Sequence, residues 1–360
     1  MLKTRVVIGM SGGVDSSAAA CLLLEQGYDV IGVTMQIWQD ESIEVIQAQN
    51  GCCGLTAVDD ARRVAECLNI PYYVLNFKED FRRYVIDNFI SEYIHGRTPN
   101  PCIACNRFVK WESLLSKARQ IGADYIATGH YAHIRKHPVT GRLSVKCSAA
   151  QGKDQSYALY SLTQEQLAAT LLPLGEFRKE QVREIAEANN LLVANKPDSQ
   201  DICFVPDGDY ARFITEHSQE VIPEGNFINE AGSVLGRHKG IIHYTVGQRK
   251  GLGIAFGKPM YVKCINALDN TVTLSEDICV SEMTVNDVNW MAYMPFEGAF
   301  RLSVKIRYNH KAVACTTNVY NDGGKEKIRC RFDEPQRAVT PGQAAVFYEG
   351  EYIVFGGVIE

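Results

Sequence analysis

The 360-residue sequence predicts an α/β fold with a Rossmann-like N-terminal domain built on a parallel sheet, a small central β-rich domain and a C-terminal antiparallel β-barrel. Over roughly the first 200 residues, strand and helix patterns alternate, which indicates βαβ units. Beyond that point the apolar segments are short and broken by Gly and Pro. Residues 301–307 alternate apolar and polar side chains with a period of two, as a strand with one basic face does. We expect domains at 1–205, 206–280 and 281–360.

The N-terminal elements follow one another in the order that a parallel sheet requires. Runs of branched and aromatic residues predict strands at 5–9, 30–36, 72–77 and 125–128. Runs rich in Ala and Leu or with helical periodicity predict helices at 16–26, 57–68, 81–95 and 108–121. Ligands of such folds bind beyond the carboxyl ends of the strands, so the loops that follow the strands are the candidate site.

The second part of the chain has a different pattern. A helix is expected at 209–218, and short strands are expected at 241–246, 260–265, 272–274 and 301–307. These segments predict a β-rich central domain and a terminal barrel, with a junction near 275–290.

Composition narrows the class of protein. Hydrophobic residues make up 46% and charged residues 22%, with 37 basic and 42 acidic side chains, which excludes a disordered or fibrous chain. No signal peptide and no membrane-spanning apolar run is expected. We therefore expect no membrane association and a reducing cytoplasm. There the twelve cysteines would be free, catalytic or metal-bound.

Basic residues are segregated along the chain. Windows 125–153, 231–268 and 298–321 hold five, six and four Lys or Arg residues, 15 in all, and no acid. Chance clustering on solvated strands is one interpretation. The other is a basic track for a polyanion such as nucleic acid.

The segment GMSGGVDSS, residues 9–17, lies between the first strand and the first helix. Its glycines let backbone amides surround an anion, Ser11 and Ser16 add hydroxyl donors, and the following helix offers its positive N-terminus. Asp15 does not fit a plain anion cradle and suggests a Mg²⁺ ion held with phosphates. The segment matches neither the GxxxxGK[ST] loop nor the GxGxxG dinucleotide motif.

Two segments carry cysteines in polar surroundings. GRTPNPCIACN, residues 96–106, places Cys105 immediately before the predicted helix at 108–121, where unpaired amides would lower the thiol pKa and favour thiolate. DSQDICF, residues 198–204, carries Cys203. Each could instead be a buried structural cysteine.

The other cysteines give weaker signals. Cys52 and Cys53 could be metal ligands or a sulfur entry point, although no second pair completes a zinc site. The remaining seven are expected to be small packed hydrophobes: Cys21, Cys67, Cys147, Cys264, Cys279, Cys315 and Cys330.

The SGGVDS loop resembles that of the PP-loop ATP pyrophosphatases, of the adenine nucleotide alpha hydrolase type. With the rest of the chain it closely resembles the tRNA-specific 2-thiouridylase family. The resemblance extends over essentially the whole length, through GMSGGVDSS, GRTPNPC, ADYIATGHYA, KDQSYALY, DSQDICF, HYTVGQRKGLGI and TPGQAAVFY. It implies an ATP-binding catalytic domain at 1–205 and a tRNA-binding central domain at 206–280.

The resemblance assigns roles to individual residues. It implies Cys105 as catalytic nucleophile, Cys203 as the persulfide-bearing cysteine and Asp15 as a further catalytic position. The nucleotide-binding positions are Gly9, Met10, Ser11, Gly12, Gly13, Val14, Asp15, Ser16, Met35 and Gly129. The tRNA-binding positions are Asn100, Pro101, Cys102, His130, Lys153, Asp154, Gln155, Arg307, Tyr308 and Gln343.

The implied reaction is 2-thiolation of the wobble uridine U34 by a tRNA-uridine 2-sulfurtransferase. ATP, with Mg²⁺, would adenylate O2 of the base, and persulfide sulfur from Cys203 would attack C2, giving 2-thiouridine, AMP and pyrophosphate. Cys105 would attack the persulfide and leave a Cys105–Cys203 disulfide or release sulfide. The implied partners are tRNAs for Lys, Glu and Gln, and a sulfur-relay protein or cysteine desulfurase.

One departure leaves an alternative open. Where many family members carry Asp, this chain has Cys102, which forms CxxC with Cys105. Together with Cys203, these cysteines could hold a [4Fe–4S] cluster. Two further alternatives are a PP-loop amide ligase and a non-catalytic tRNA-binding protein.

Overall fold

The computed structural model describes residues 3–37, 55–150, 152–197 and 202–360. The helices are α1 (Val14–Glu25), α2 (Leu55–Cys67), α3 (Lys78–Phe81), α4 (Asp87–Ile94), α5 (Pro101–Ala104), α6 (Leu115–Gln120), α7 (Gln164–Ala168), α8 (Lys179–Ala188) and α9 (Tyr210–His217). π-Helical turns at Arg82–Ile86 and Cys105–Leu114 join α3 to α4 and α5 to α6.

The strands fall into three sheets, one for each part of the chain. They are β1 (Arg5–Gly9), β2 (Asp29–Gln36), β3 (Tyr72–Asn76), β4 (Tyr125–Ala127), β5 (Ala132–Lys136), β6 (Leu143–Cys147), β7 (Thr170–Leu171), β8 (Gly225–Ile228), β9 (Val234–His238), β10 (Tyr261–Asn266), β11 (Thr271–Ser275), β12 (Cys279–Trp290), β13 (Gly298–Lys305), β14 (Val313–Asp322), β15 (Lys325–Arg337), β16 (Ala344–Glu349) and β17 (Tyr352–Ile359).

The N-terminal sheet has the order β3-β2-β1-β4-β7, and all its strands are parallel. The chain leaves β1 toward β2 on one side, whereas β4 lies on the other. Such a reversal opens a crevice at the carboxyl ends of the two central strands. The loops after β1 and β4 therefore lie side by side, as the sequence predicts for a ligand site.

The second and third sheets confirm the predicted β-rich half. The central sheet has the order β10-β11-β8-β9. Strands β12, β15, β14, β13, β16 and β17 follow one another in an antiparallel barrel, and β12 pairs with β17 to close it. The hairpin β5–β6 of the N-terminal part extends the barrel through Lys146, which pairs with Tyr352 of β17.

The N-terminal part and the barrel share a hydrophobic core. Barrel residues Val346, Tyr348 and Ile353 belong to the same buried cluster as Phe89 and Trp111 of the N-terminal helices. A second cluster packs α1, α2 and α8 on the other face of the parallel sheet. The barrel is therefore attached to the N-terminal part by apolar packing and not by a linker alone.

Two predicted elements are wrong. Residues 241–246 are not a strand, because Ile241–His243 form a 3₁₀ turn, in which Ile241 packs into the core of the central sheet and Ile242 into the core shared by the N-terminal part and the barrel. The helix predicted at 108–121 begins seven residues earlier, at Pro101. Pro101 is suited to the first helical position because its missing N–H would have no helical acceptor there.

Some predictions about side chains also need correction. Cys21, Cys315 and Cys330 are buried as expected, but Cys67, Cys264 and Cys279 are exposed because they lie on outward faces of their helix or strands. The period-two pattern of 301–307 is confirmed, since Leu302, Val304 and Ile306 are buried. Strand β13 ends at Lys305, which leaves Arg307 and Tyr308 in a loop. Among the described residues, no helix is long and apolar enough to span a bilayer.

Candidate functional site

The loop after β1 forms an open cradle at the N-terminus of α1. Gly13 is the N-cap residue, and because glycine has no side chain, the first helical amides receive no side-chain cap from it. The Ser16 hydroxyl accepts from the Ser11 amide at 3.2 Å and donates to the Gly13 carbonyl at 3.2 Å. This arrangement closes the turn on itself and leaves helix-terminal amides available for an anion.

Two glycines are required by close packing around this loop. Gly12 has φ +69°, and a Cβ there would collide with the Ala57 carbonyl oxygen of α2. A Cβ at Gly129, in the loop after β4, would lie 2.7 Å from the Asp15 carbonyl carbon and from the Ser16 amide nitrogen. The loop after β4 is thus in direct backbone contact with the first turn of α1.

The other predicted nucleotide-binding residues surround the same turn. Met10 is tied to β2, since its amide donates to the Val33 carbonyl and its carbonyl accepts from the Thr34 hydroxyl, both at 2.8 Å. Met35 follows in β2 and is half-buried. The structure therefore gathers Gly9–Ser16, Met35 and Gly129 around the crevice.

Asp15 has two partners that sequence reasoning missed. Its Oδ1 accepts from the Tyr131 hydroxyl at 2.6 Å and from the Lys179 ammonium at 2.7 Å. Tyr131 follows His130 in the GHYA segment, and Lys179 is the first residue of α8, a helix that the sequence analysis did not assign. The position of Tyr131 two residues after Gly129 is the one sequence signal that could have indicated its contact with Asp15.

Lys196 is a third missed residue at the loop. Its ammonium donates to the Gly12 carbonyl at 3.1 Å and to Asp60 Oδ2 at 2.8 Å. The Arg183 guanidinium of α8 holds the Lys196 carbonyl at 3.2 Å. Lys179 and Lys196 thus place two ammonium groups beside the anion cradle, each paired with a carboxylate, Asp15 or Asp60.

The loop that precedes Cys102 is held by all three parts of the chain. Gly96 approaches Ile265 of the central sheet, where a Cβ would lie 2.9 Å away. From the barrel, the Gln343 amide donates to the carbonyls of Thr98 and Pro99 at 2.8 and 3.3 Å. The Thr98 amide in turn donates to the Pro341 carbonyl at 2.8 Å.

Cys105 does not lie immediately before the helix, so that prediction is wrong. Asn100 is the N-cap, and its side chain accepts from the amides of Cys102 and Ile103 at 3.1 and 3.3 Å. Cys105 is the fifth helical residue and its amide is bonded within the helix. It therefore lies beyond the turn where the helix terminus acts on a thiol.

The thiol of Cys105 is protonated at neutral pH in this structure. Burial raises its pKa to about 11, the nearby charge of Lys110 opposes the rise, and Cys102 adds to it. Cys105 carries a free thiol, and it is half-buried, whereas Cys102 is exposed. The expected thiolate is thus not present, because desolvation outweighs the lysine.

Cys203 is exposed and is held by its neighbours. The Phe204 ring packs edge-on against Phe81 and Phe89, with centroids 5.7 and 5.3 Å apart. Ile202 and Cys105 both pack against the hydrophobic cluster that contains Phe204. The two predicted reactive cysteines are thereby attached to one core. Residues 198–201 of the DSQDICF segment, and Cys52 and Cys53, lie outside the described residues.

Several predicted tRNA-binding residues lie near Cys102. Partial burial raises the pKa of Tyr308, and the charges of Asp154 and then Cys102 raise it further, which places both groups near its phenol. Asp154 is itself paired with Lys305 of β13 at 3.2 Å. The barrel loop with Arg307 and Tyr308 thus faces the segment at 153–155.

The remaining members of this set have mixed environments. Lys153 and Arg307 are exposed, whereas the Gln155 side chain accepts from the Tyr131 amide at 2.9 Å. His130 Nδ1 lies 2.7 Å from the Thr128 hydroxyl. Burial, and then the charge of Lys110, hold the pKa of His130 well below its usual range, so its ring is neutral.

The acid-free windows are partly neutralised in the folded chain. Seven of their 15 basic side chains pair with carboxylates from outside the windows. Those seven are Arg135, Lys146, Arg237, Lys258, Lys263, Arg301 and Lys305. Arg249, Lys250, Arg307 and Lys311 are exposed and form no ion pair with any described residue.

Iron–sulfur ligation does not fit the described geometry. Among residues 3–37, 55–150, 152–197 and 202–360, no three His, Cys, Asp or Glu side chains converge as a metal site would require. Cys102, Cys105 and Cys203 are therefore not arranged as a cluster ligand set in this structure.

Comparison with known proteins covers the whole chain. Residues 4–207 match the tRNA methyl transferase HUP domain, residues 211–276 the tRNA methyl transferase PRC-barrel domain and residues 280–359 the aminomethyltransferase beta-barrel domain. The tRNA-specific 2-thiouridylase MnmA of Lachnoclostridium phytofermentans is 59% identical over 99% of each chain. That of Clostridioides difficile is 54% identical over 100% of this chain and 99% of its own. A solved 4-thiouridine synthetase–RNA complex with bound ATP is far more distant, at 16% identity and TM-score 0.37 over 59% of this chain and 50% of its own.

Proposed function

The chain belongs to the tRNA-specific 2-thiouridylase (MnmA) family, and from that premise we propose that it is a tRNA-uridine 2-sulfurtransferase. Its substrates are ATP, a persulfide sulfur and the wobble uridine U34 of tRNA. Its products are 2-thiouridine, AMP and pyrophosphate. The tRNAs for Lys, Glu and Gln are the proposed acceptors.

The ATP half of the reaction belongs to the crevice between β1 and β4. Helix-terminal amides, together with the partly exposed ammonium group of Lys196, would receive the phosphates. A Mg²⁺ ion bound with ATP would neutralise phosphate charge, and Asp15 would be the carboxylate that holds it. Attack of the uridine O2 on the α-phosphate then forms the adenylated base and releases pyrophosphate.

The sulfur half belongs to Cys203 and Cys105. The terminal persulfide sulfur on Cys203 attacks C2 of the adenylated uridine, and the C2–O bond breaks with AMP as leaving group. Cys105, after losing its proton, attacks the Cys203 sulfur and breaks the sulfur–sulfur bond, which leaves the thiolated base and a Cys105–Cys203 disulfide. A thiol reductant supplies two electrons and two protons to restore both thiols.

One observation carries the proposal. Cys105 and the two residues that flank Cys203, Ile202 and Phe204, all belong to or pack against one hydrophobic cluster. An ATP-dependent amide ligase has no use for that pairing. Arg249, Lys250 and Arg307, which are exposed and form no ion pair within the described part of the chain, would supply positive charge for the RNA phosphates.

Transfer of labelled sulfur tests the assignment. Purified protein, ATP, tRNA and a persulfide donor are expected to yield 2-thiouridine at U34 by mass analysis. Cys203→Ser and Cys105→Ser should each lower the rate of thiolation at least about a hundredfold, while tRNA-dependent pyrophosphate release persists. Cys264→Ser, an exposed cysteine of the central sheet, is the matched control and should retain full activity.

Other outcomes would favour the alternatives. A normal rate for Cys203→Ser, with ammonia as co-substrate, would identify an amide ligase. Absence of tRNA-dependent pyrophosphate release would identify a tRNA-binding protein without catalysis. Iron and acid-labile sulfide that co-purify anaerobically with activity, and are lost in Cys102→Asp, would replace the persulfide route with a cluster.

The proposal extends to partners, compartment and domains. The persulfide on Cys203 would come from a sulfur-relay protein or a cysteine desulfurase, which an exposed thiol allows. A reducing cytoplasm suits a cycle that ends on a reducible disulfide. We place the catalytic domain at 1–205, the central tRNA-binding domain at 206–280 and the barrel at 281–360.

A further inference from the structure

We propose that Tyr131 is a positioning residue of the ATP site: with Lys179 it holds one oxygen of Asp15, so that the other is presented to the phosphate end of ATP and its Mg²⁺. The inference rests on the proposed use of ATP. It assigns a role to a phenol that lies outside the loop motif.

Both donors converge on a single carboxylate oxygen. The Tyr131 hydroxyl lies 2.6 Å and the Lys179 ammonium 2.7 Å from Asp15 Oδ1. No described residue donates to Oδ2. The Asp15 side chain is 32% exposed and that of Lys179 is 11% exposed, so the carboxylate is reached by ligands from the solvent side while its anchor is covered.

Tyr131 is itself fixed more firmly than a surface donor. Its side chain is buried, and its backbone makes two hydrogen bonds with Gln155, at 2.9 Å to the side chain and 2.8 Å to the amide. Gly129, two residues earlier, presses against the backbone of Asp15. The phenol therefore reaches the carboxylate with little conformational freedom left to lose.

The two donors have different consequences for the carboxylate. Lys179 supplies charge, but an ammonium on a flexible stem accepts many carboxylate orientations. A phenol O–H donates in one direction, so Tyr131 selects one of them. Without the hydroxyl, Asp15 keeps its charge partner and loses its orientation, which weakens ligand binding and leaves the fold intact.

Titration calorimetry with Mg²⁺ and α,β-methylene-ATP, which is not cleaved at the α–β position, tests the assignment on the full chain. Tyr131→Phe is expected to raise the Kd about five- to tenfold. In an Asp15→Ala background, which lacks the acceptor, the same substitution should change the Kd by less than about twofold. Tyr157→Phe removes another buried hydroxyl, bonded to the Ala344 carbonyl at 2.9 Å, and should bind like the parent protein.

Two results would overturn the proposal: an unchanged Kd for Tyr131→Phe, or an equal loss in the presence and absence of Asp15. If Asp15→Ala binds the nucleotide too weakly to titrate, the Lys179→Met background is used instead. In that background Tyr131→Phe should raise the Kd by a larger factor than it does when Lys179 is present. An equal or smaller cost there would contradict the role. Failure of the parent chain to bind the nucleotide would refute ATP use and this inference together, whereas nucleotide binding without thiolation would refute only the proposed sulfur transfer.

Discussion

The anion cradle and the cysteine loop are built in opposite ways. The cradle at Gly9–Ser16 is a short turn between consecutive elements, and its internal hydrogen bonds join residues at most five apart. The loop at 96–105 is held by the central sheet at Ile265 and by the barrel at Gln343. The turn of the first site is closed by local hydrogen bonds, although Lys179 and Lys196 reach it from far along the chain, whereas the second site is assembled from three parts of the chain.

The two regions also differ in their electrostatics. The cradle presents a helix N-terminus to an anion, and the ammonium groups of Lys179 and Lys196 beside it are paired with Asp15 and Asp60. Cys105 lies deeper in its helix, where desolvation raises its pKa. One region is thus ready to bind an anion as it stands. The other holds Cys105, the proposed nucleophile, in the protonated form.

The largest expected effect comes from breaking the local site. Gly12→Ala places a Cβ on the Ala57 carbonyl at a positive φ, so the loop must move away from α2. Nucleotide affinity should fall at least about a hundredfold, and stability should fall by about 2–4 kcal/mol. Calorimetric titration with the uncleaved ATP analogue and urea unfolding measure both quantities.

Gly27→Ala is the control for backbone strain alone. Gly27 has φ +85° and open space around its Cβ position, so only the conformational cost of about 1 kcal/mol is expected. If both variants bound the nucleotide equally well, the contact of Gly12 with α2 would have no part in shaping the cradle.

A smaller effect is expected from loosening the assembled site. Gln343→Ala removes two hydrogen bonds to the cysteine loop from the barrel and touches nothing in the cradle. Thiolation should slow about tenfold, while the affinity for the ATP analogue stays within about twofold of the parent value. This contrast separates a positioning role from general instability, which would lower both.

Gln336→Ala provides a comparison on the same barrel, because the Gln336 amide donates to the Glu334 carbonyl and not to the cysteine loop. A parental thiolation rate is expected for it. Equal losses in the two glutamine variants would show that the barrel supports the site only through its overall stability.

Sequence reasoning recovered the local site better than the assembled one. The sequence predicted strand β1 and the SGGVDS turn, and it predicted the start of α1 to within two residues. These predictions rest on hydrophobic periodicity and glycine placement, which are signals that span only a few residues. Tyr131, Lys179 and Lys196 were missed because their distance along the chain from the cradle carries no periodic signal. Gln343 and Thr98, which are joined by a hydrogen bond, lie 245 residues apart in sequence, and no local sequence pattern predicts their contact.

The errors in the fold have the same origin. Residues 241–246 have the composition of a strand, yet they lie between two glycines with positive φ, at 240 and 247, and the segment begins as a 3₁₀ turn. The acid-free windows overstate the positive charge of the folded surface, because Lys305 and Lys146 form ion pairs with carboxylates that are distant in sequence. Neither the secondary-structure propensity of a segment nor its local charge shows which distant residues it will contact in the fold.

The smallest expected effect concerns the protonation of Cys105. With a pKa of about 11, only a small fraction of the thiol is ionised at pH 7.5, and that fraction rises about tenfold per pH unit up to pH 10. In a Cys203→Ser background, the alkylation rate of Cys105 measured by peptide mass spectrometry should follow that slope without a plateau below pH 10. A plateau near pH 7 would mean that Cys105 is a thiolate in the resting enzyme. The cysteine loop would then need no partner to activate it, and its contrast with the cradle would disappear.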